Sequence, residues 1–232
     1  MRRDILEETV RLLVRHFDLF TMIVLTVWLP GHLVINYIDF FAPSKGTPVA
    51  AAHGFRVALL VEGVFGPLVV AATLAALVRI KRGEPATYGA AMRWAFILWP
   101  RLFMARVVVS VIVLAGLIAL VVPGVVLLVR LAFVDALVVL DQVPLGQALR
   151  VSNALTVGRR RAIFWTGGAL FVTVFSVAAM LSALAGLLEH FVVQVLVDCV
   201  IAVTQTMLTI AMFLFYWEAH GAPVATPTER AT

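Results

Sequence analysis

Six long apolar stretches, joined by short polar connections, occupy most of this chain. A helix needs about 20 mostly apolar residues to cross the hydrocarbon of a bilayer. The stretches have about this length and together leave little chain for a separate soluble domain. We therefore predict an all-α membrane protein in which residues 1–220 form a single six-span domain and residues 221–232 form a short cytoplasmic tail. The predicted spans cover approximately residues 17–38, 55–79, 100–122, 124–140, 162–188 and 191–217.

The composition indicates the same class of protein. Hydrophobic residues make up 62% of the chain and charged residues 13%, with a mean hydropathy of +1.05, whereas soluble domains are about 45–50% apolar and about 25% charged. The net charge of +5 does not indicate nucleic acid, because the basic residues flank the apolar stretches instead of forming one polar basic face. Membrane lipids with anionic headgroups are the predicted partners.

Basic residues are concentrated in alternate connections between the spans. Three connections are rich in them: Arg2, Arg3, Arg11 and Arg15; then Arg79, Lys81, Arg82 and Arg93; then Arg150, Arg159, Arg160 and Arg161. The opposite connections carry only Lys45 and the flanking Arg56. Because Lys and Arg are retained on the cytoplasmic side, we predict a multi-pass protein of the inner (plasma) membrane with both termini in the cytoplasm.

Amphipathic segments precede three of the spans, at residues 4–16, 85–98 and 144–157. Their mixture of apolar and basic residues predicts helices that lie on the cytoplasmic surface of the membrane. A three-fold repeat of one helix plus one helical hairpin would give this pattern, and Ala91–Met92–Arg93 after Pro85 matches Ala148–Leu149–Arg150 after Pro144. Short interfacial helices within basic loops would give it without a repeat, so both interpretations stay open.

Ionisable side chains within the predicted spans are the leading candidates for a functional site, because a charge in hydrocarbon costs about 2.5–3.5 kcal/mol on insertion scales. Glu62, Arg130 and Asp198 each lie seven residues from the outer end of a span, which corresponds to a depth of about 10 Å. We predict that Arg130 is within salt-bridge reach of one of the two acids. The whole predicted cluster consists of His32, Asn36, Glu62, Arg130 and Asp198.

A second predicted ion pair joins Arg106 and Asp135, which share a level nearer the cytoplasm in the hairpin of the third and fourth spans. Two interpretations of the buried charges stay open. They form a proton, ion or headgroup site in a partly hydrated cavity, or they form a polar network that holds the hairpins in register.

No catalytic or metal-binding signature is present in the sequence. It contains no Gly-x-Ser-x-Gly, His-Glu-x-x-His, phosphate-binding glycine loop or calcium loop. Cys199 is the only cysteine, and the five histidines lack ligand spacing. We therefore predict a protein that is not an enzyme and that carries no cofactor or metal.

A group of residues in the second half of the chain carries a family resemblance: Pro123, Gly124, Arg130, Asp141, Ala148, Leu149, Ser152 and Gly158. At these positions the chain resembles the membrane-domain family named after glycerophosphoryl diester phosphodiesterase, which includes stand-alone bacterial proteins of the YciC type. Asp141 replaces the more usual Glu of the family, and Asp135 stands where the family tends to have an apolar residue or Pro. The resemblance implies a six-span fold and proximity to lipid metabolism. It implies no phosphodiesterase activity, because the catalytic residues of the fused relatives lie in a soluble domain.

The predicted function is that of a non-enzymatic inner-membrane protein that is lipid-associated or organises a membrane partner, with basic interfacial helices against anionic headgroups. A second copy of the chain is one candidate for that partner. The alternative is a small transporter or channel that uses the charged layer of Glu62, Arg130 and Asp198.

Overall fold

The structure, a computed structural model, describes residues 2–41, 48–188 and 190–221. The predicted loop around Lys45 and almost all of the predicted tail lie outside these residues. The described helices are α1 (Arg2–Arg15), α2 (Phe17–Phe41), α3 (Pro48–Lys81), α4 (Tyr88–Ala119), α5 (Val121–Arg130), α6 (Val134–Val139), α7 (Leu145–Leu155), α8 (Arg160–Leu188) and α9 (Phe191–Gly221).

The prediction of an all-α bundle with six spanning helices is confirmed. Six segments of the described chain are long and apolar enough to cross a bilayer: Phe17–Ile38, Leu59–Lys81, Tyr88–Ala119, Val121–Val139, Arg160–Leu188 and Phe191–His220. They correspond one to one with the predicted spans. Their boundaries differ mainly in the second, third and fourth spans.

Helix α4 differs from the prediction because it is continuous through Pro100. The predicted interfacial segment at residues 85–98 is therefore an extension of the third span, preceded by a short non-helical stretch at 84–87. Packing explains the continuity, since a buried stripe runs along both sides of the proline, formed by Ala91, Ala95, Leu98, Leu102 and Ala105. Trp99 also donates its indole N–H to the Val64 carbonyl of α3 at 2.7 Å.

The fourth span is broken. Helix α5 ends at Arg130, residues 131–133 form a turn, and α6 continues from Val134 to Val139. Helix α6 is deeply buried, and its preceding residue Phe133 is fully enclosed. A break within a span must have its free backbone groups satisfied by protein, because hydrocarbon offers no hydrogen bonds.

Helix α3 lies at the centre of the bundle, with two thirds of its spanning residues buried. Small side chains at Ala71, Ala72, Ala75 and Ala76 are at most 2% exposed. Small residues let neighbouring helix backbones approach closely, which is how membrane helices gain van der Waals contact.

Helix α1 packs against α9 and is tied to the end of α3 by a Glu8–Lys81 ion pair. Its buried face is formed by Ile5, Thr9 and Leu13. Val10 is 47% exposed. Helix α1 thus offers one face to the bundle and a second apolar face outward, as a helix at a membrane surface requires.

The two ends of the bundle differ in chemistry. At one end, here called the aromatic end, Phe40 and Phe41 of α2 meet the ring of Phe191 at 5.9 and 6.0 Å. The other, called the basic end, contains α1, the connection 82–87 and α7. Of the described Lys and Arg residues, Arg56 alone lies toward the aromatic end, and Arg106 and Arg130 lie within the spans.

Candidate functional site

Part of the predicted polar cluster forms between α2 and α9. Asn36 donates its side-chain amide to the Asp198 carboxylate at 2.7 Å and to the His32 backbone carbonyl at 2.9 Å. The Asp198 carboxylate also lies within electrostatic range of the His32 ring. Asn36 is only 4% exposed, so this contact is a hydrogen bond shielded from the surroundings. It joins the first and last spans of the bundle.

Glu62 belongs to a different group of charges. Glu62 and Arg106 both approach Gly66, which lies one turn further along α3. A Cβ built on Gly66 would be 3.9 Å from Glu62 Cγ and 3.8 Å from Arg106 Nη1. Arg106 donates through Nε and Nη2 to one oxygen of Asp135, at 3.1 and 2.7 Å. The structure therefore brings Arg106 and Asp135 together as the sequence predicts, and adds Glu62 within electrostatic range of the same guanidinium.

Arg130 departs from the predicted cluster. Within the described part of the chain it forms no ion pair, and neither Glu62 nor Asp198 lies within 4.0 Å of its guanidinium. Its Nε is buried without an acceptor. The prediction used depth alone, and depth does not fix the direction in which a side chain leaves its helix.

The peptide groups around Arg130 have a partner on another helix. Ser152 of α7 donates its hydroxyl to the Arg130 carbonyl at 2.8 Å and accepts the Phe133 N–H at 3.2 Å. Ser152 is fully buried. One hydroxyl thus satisfies both sides of the break in the fourth span, and it links two of the residues that carry the family resemblance.

A third polar group lies at the basic end of α9. Tyr216 donates its hydroxyl to Asp141 at 2.7 Å, and His220 Nε2 lies 3.8 Å from the same oxygen of Asp141. The Tyr216 ring also meets Phe133 edge-on at a centroid distance of 6.0 Å. These contacts connect the end of the broken span to the last helix.

Other residues of the family resemblance shape the backbone. Gly124 packs against α4 so closely that an added Cβ would be 2.5 Å from a Leu117 methyl carbon and 2.7 Å from its backbone nitrogen. Gly158 has a φ of 80°, a left-handed conformation that favours glycine after a helix. Ala148 is fully buried in α7, Leu149 packs on the core, and Pro123 lies in the first turn of α5.

Cavities flank the Arg106–Asp135 pair. One, of about 610 Å³, lies between α4, α5, α8 and α9, and another, of about 180 Å³, lies between the pair and the helices α3 and α9. In the described residues, no three His, Cys, Asp or Glu side chains group together as they would around a metal ion.

A third cavity opens at the basic end and has a volume of about 790 Å³. Its charged lining consists of Arg79 from α3 and Arg93 and Arg101 from α4. The sequence alone does not indicate this cavity, because it predicts Arg93 in an interfacial helix and Arg101 in the following span. A continuous helix places both on the same wall.

No protein-family profile, curated protein or solved structure matches this chain. The family resemblance and the relation to lipid metabolism that it implies therefore stay predictions.

Proposed function

We propose that this protein is a non-enzymatic component of the inner membrane that binds anionic lipid headgroups at its basic end. The observation that carries the proposal is the segregation of charge: of the described Lys and Arg residues, only three lie away from the basic end. Each basic residue near an anionic membrane surface contributes about 1 kcal/mol of attraction. In this proposal the basic end faces the cytoplasm, as the positive-inside rule predicts.

The exposed face of helix α1 also supports a role in binding lipid at the surface of the bundle. Helix α1 presents exposed apolar side chains, including Val14 at 69%, beside basic residues such as Arg11 and Arg15. Such a face inserts into the boundary between headgroups and acyl chains. The proposal includes a membrane protein partner at this face, and another copy of this chain is one candidate for it.

Lipid retention tests the proposal. The protein is reconstituted in bilayers of equal parts phosphatidylglycerol and phosphatidylcholine, extracted in mild neutral detergent, and examined by native mass spectrometry. We expect several-fold more phosphatidylglycerol than phosphatidylcholine to stay bound, and less of this preference at high salt, which screens surface charges. Equal retention of the two lipids would overturn the proposal.

A second candidate function is transport of protons or small ions. The observation that favours it is the position of Arg106 and Asp135 between two cavities, with Glu62 within electrostatic range of Arg106, since ionisable groups within spans mark ion pathways in many membrane proteins. Proteoliposomes with an internal pH dye test it. We expect flux that falls when Glu62→Gln or Asp135→Asn is introduced, and absence of flux in the unmodified protein would remove this candidate.

A further inference from the structure

The cavity at the basic end is lined by three arginines and, among the described residues, by no acid. Among those residues, neither Arg93 nor Arg101 has a salt bridge or side-chain hydrogen bond. Arg79 makes one long contact, to the Pro85 carbonyl at 3.5 Å. Three guanidinium groups around one space attract an anion with several acceptor oxygens.

Neutral donors complete the lining. The indole N–H of Trp94 is buried and has no acceptor within the described part of the chain. A buried donor without a partner is unfavourable, and this one lies in a residue of the cavity wall. The side-chain amide of Gln142 also lines the cavity, and Gln142 holds a φ of 53°, a left-handed conformation that non-glycine residues adopt uncommonly and that clusters at ligand sites.

The position of the cavity fits the headgroup layer of a membrane. Helix α4 has 32 residues and is about 48 Å long, whereas the hydrocarbon core is about 30 Å thick. Counted back from Ala119, a 20-residue crossing begins near Pro100, so Arg101 lies at the hydrocarbon boundary and Arg93 about 12 Å above it. Ile97 and Leu98 line the wall between the two arginines and offer an apolar surface beside the charged one.

We propose that this cavity, bounded by Arg79, Arg93, Trp94, Arg101 and Gln142, is a binding site for a phosphate group. The phosphate oxygens accept hydrogen bonds from the guanidinium groups, and the Trp94 side chain forms part of the wall. The group belongs either to a lipid headgroup that enters from the bilayer or to a soluble phosphate. This proposal rests on the proposed binding of anionic lipids and gives that binding a defined position in the protein.

Calorimetric titration of the purified protein in neutral detergent tests the site with three probes: inorganic phosphate, dihexanoyl phosphatidylglycerol and dihexanoyl phosphatidylcholine. We expect saturable binding of the phosphatidylglycerol that inorganic phosphate displaces, and at least about tenfold weaker binding of the zwitterionic lipid, a difference of about 1.4 kcal/mol. Tighter binding of the lipid than of phosphate identifies a headgroup site, and the reverse identifies a soluble phosphate. No saturable binding of either anion would overturn the proposal.

Matched variants locate the binding. The site variant Arg79→Gln/Arg93→Gln/Arg101→Gln is expected to weaken binding of the anionic probe at least about tenfold, since charge-assisted hydrogen bonds are the strong ones. The control removes the same charge from the same end of the bundle outside the cavity, with Arg150→Gln/Arg159→Gln/Arg161→Gln, and is expected to keep the dissociation constant within about twofold. Equal losses in both variants would overturn the site.

A steric variant separates a lost site from a misfolded protein. Gly89 lines the cavity, and a Cβ added there meets no atom within 4 Å. Gly89→Phe therefore adds bulk in the cavity without removing charge, while Gly89→Ala adds only a methyl group. We expect Gly89→Phe to block the probe and Gly89→Ala to bind it, both with unchanged far-UV circular dichroism.

The two proposals fail in different ways. Loss of the general preference for phosphatidylglycerol in reconstituted bilayers counts against the proposed function. If the protein keeps its preference for phosphatidylglycerol but the site variant does not reduce binding of the probe, only the assignment to this cavity fails.

Discussion

Ser152→Ala is expected to destabilise the protein more than any ordinary surface substitution. The Ser152 hydroxyl accepts the Phe133 N–H and donates to the Arg130 carbonyl at the break in the fourth span. The turn supplies no replacement, because Ala132 and Val134 donate to the carbonyls of Val129 and Leu131 instead. Alanine would leave one donor and one acceptor without partners at a fully buried position.

The magnitude follows from these two groups. A buried polar group left unsatisfied costs about 1–3 kcal/mol, which gives an upper total of about 6 kcal/mol for the pair. Interhelical polar contacts in membrane proteins average only about 0.6 kcal/mol in double-mutant cycles, because the unfolded chain also finds partners in the membrane. We therefore expect Ser152→Ala to lower the free energy of unfolding by about 2–4 kcal/mol.

Unfolding by sodium dodecyl sulfate in mixed micelles, followed by far-UV circular dichroism, measures the change. Ser110→Ala is the matched control, since Ser110 is exposed on α4 and has no side-chain hydrogen bond in the described structure, and its effect should stay within about 0.5 kcal/mol. If Ser152→Ala costs no more than Ser110→Ala, the hydroxyl does not support the break and the reasoning fails.

Three further predictions concern packing, pairing and orientation. Gly124→Ala should lower the free energy of unfolding by about 1–3 kcal/mol through overlap with Leu117, while Gly186→Ala, where a Cβ meets open space, should be nearly neutral; equal effects would contradict the close approach. Arg106→Gln and Asp135→Asn should be coupled by at least about 1 kcal/mol in a double-mutant cycle of unfolding free energies, and additive effects would argue against the pair. In a Cys199→Ala background, a cysteine replacing Lys45 should react with an impermeant reagent added outside intact cells, whereas Arg82→Cys should not; the opposite pattern would reverse the proposed orientation.

The positions of the spans were predictable from the sequence because they depend on one strong signal. Hydrophobic stretches of about 20 residues reflect the thickness of the bilayer, whatever the helices pack against. The break at residues 131–133 was not predictable in this way. It contains no Pro or Gly, and its stabilising partner Ser152 lies about 20 residues further along the chain, so only the folded arrangement reveals it.

Pairing of the charges within the spans was predictable only within one hairpin. Arg106 and Asp135 lie on the two arms of one hairpin, where equal depth already brings side chains close. Glu62, Arg130 and Asp198 lie on three helices that are separated in sequence. The direction of each side chain then determines which of these charges meet. Packing turns Asp198 toward Asn36 and Glu62 toward Arg106, which no depth count reveals.

Arg106, Asp135 and Asp198 within the spans have partners, whereas Arg93 and Arg101 at the basic end have none in the described structure. Arg130 is the exception, since it lies within a span and forms no ion pair among the described residues. Arg106 within the bundle is paired with Asp135, and Asp198 accepts a hydrogen bond from Asn36. Such pairs already have their partners and need no ligand to be stable. Arg93 and Arg101 have no such partner in the described structure. An unpaired arginine in a membrane protein has a low free-energy cost only where water or lipid headgroups reach it. The binding of an external anion is therefore expected at the cavity of the basic end, and the paired internal charges are expected to fix how the spans pack.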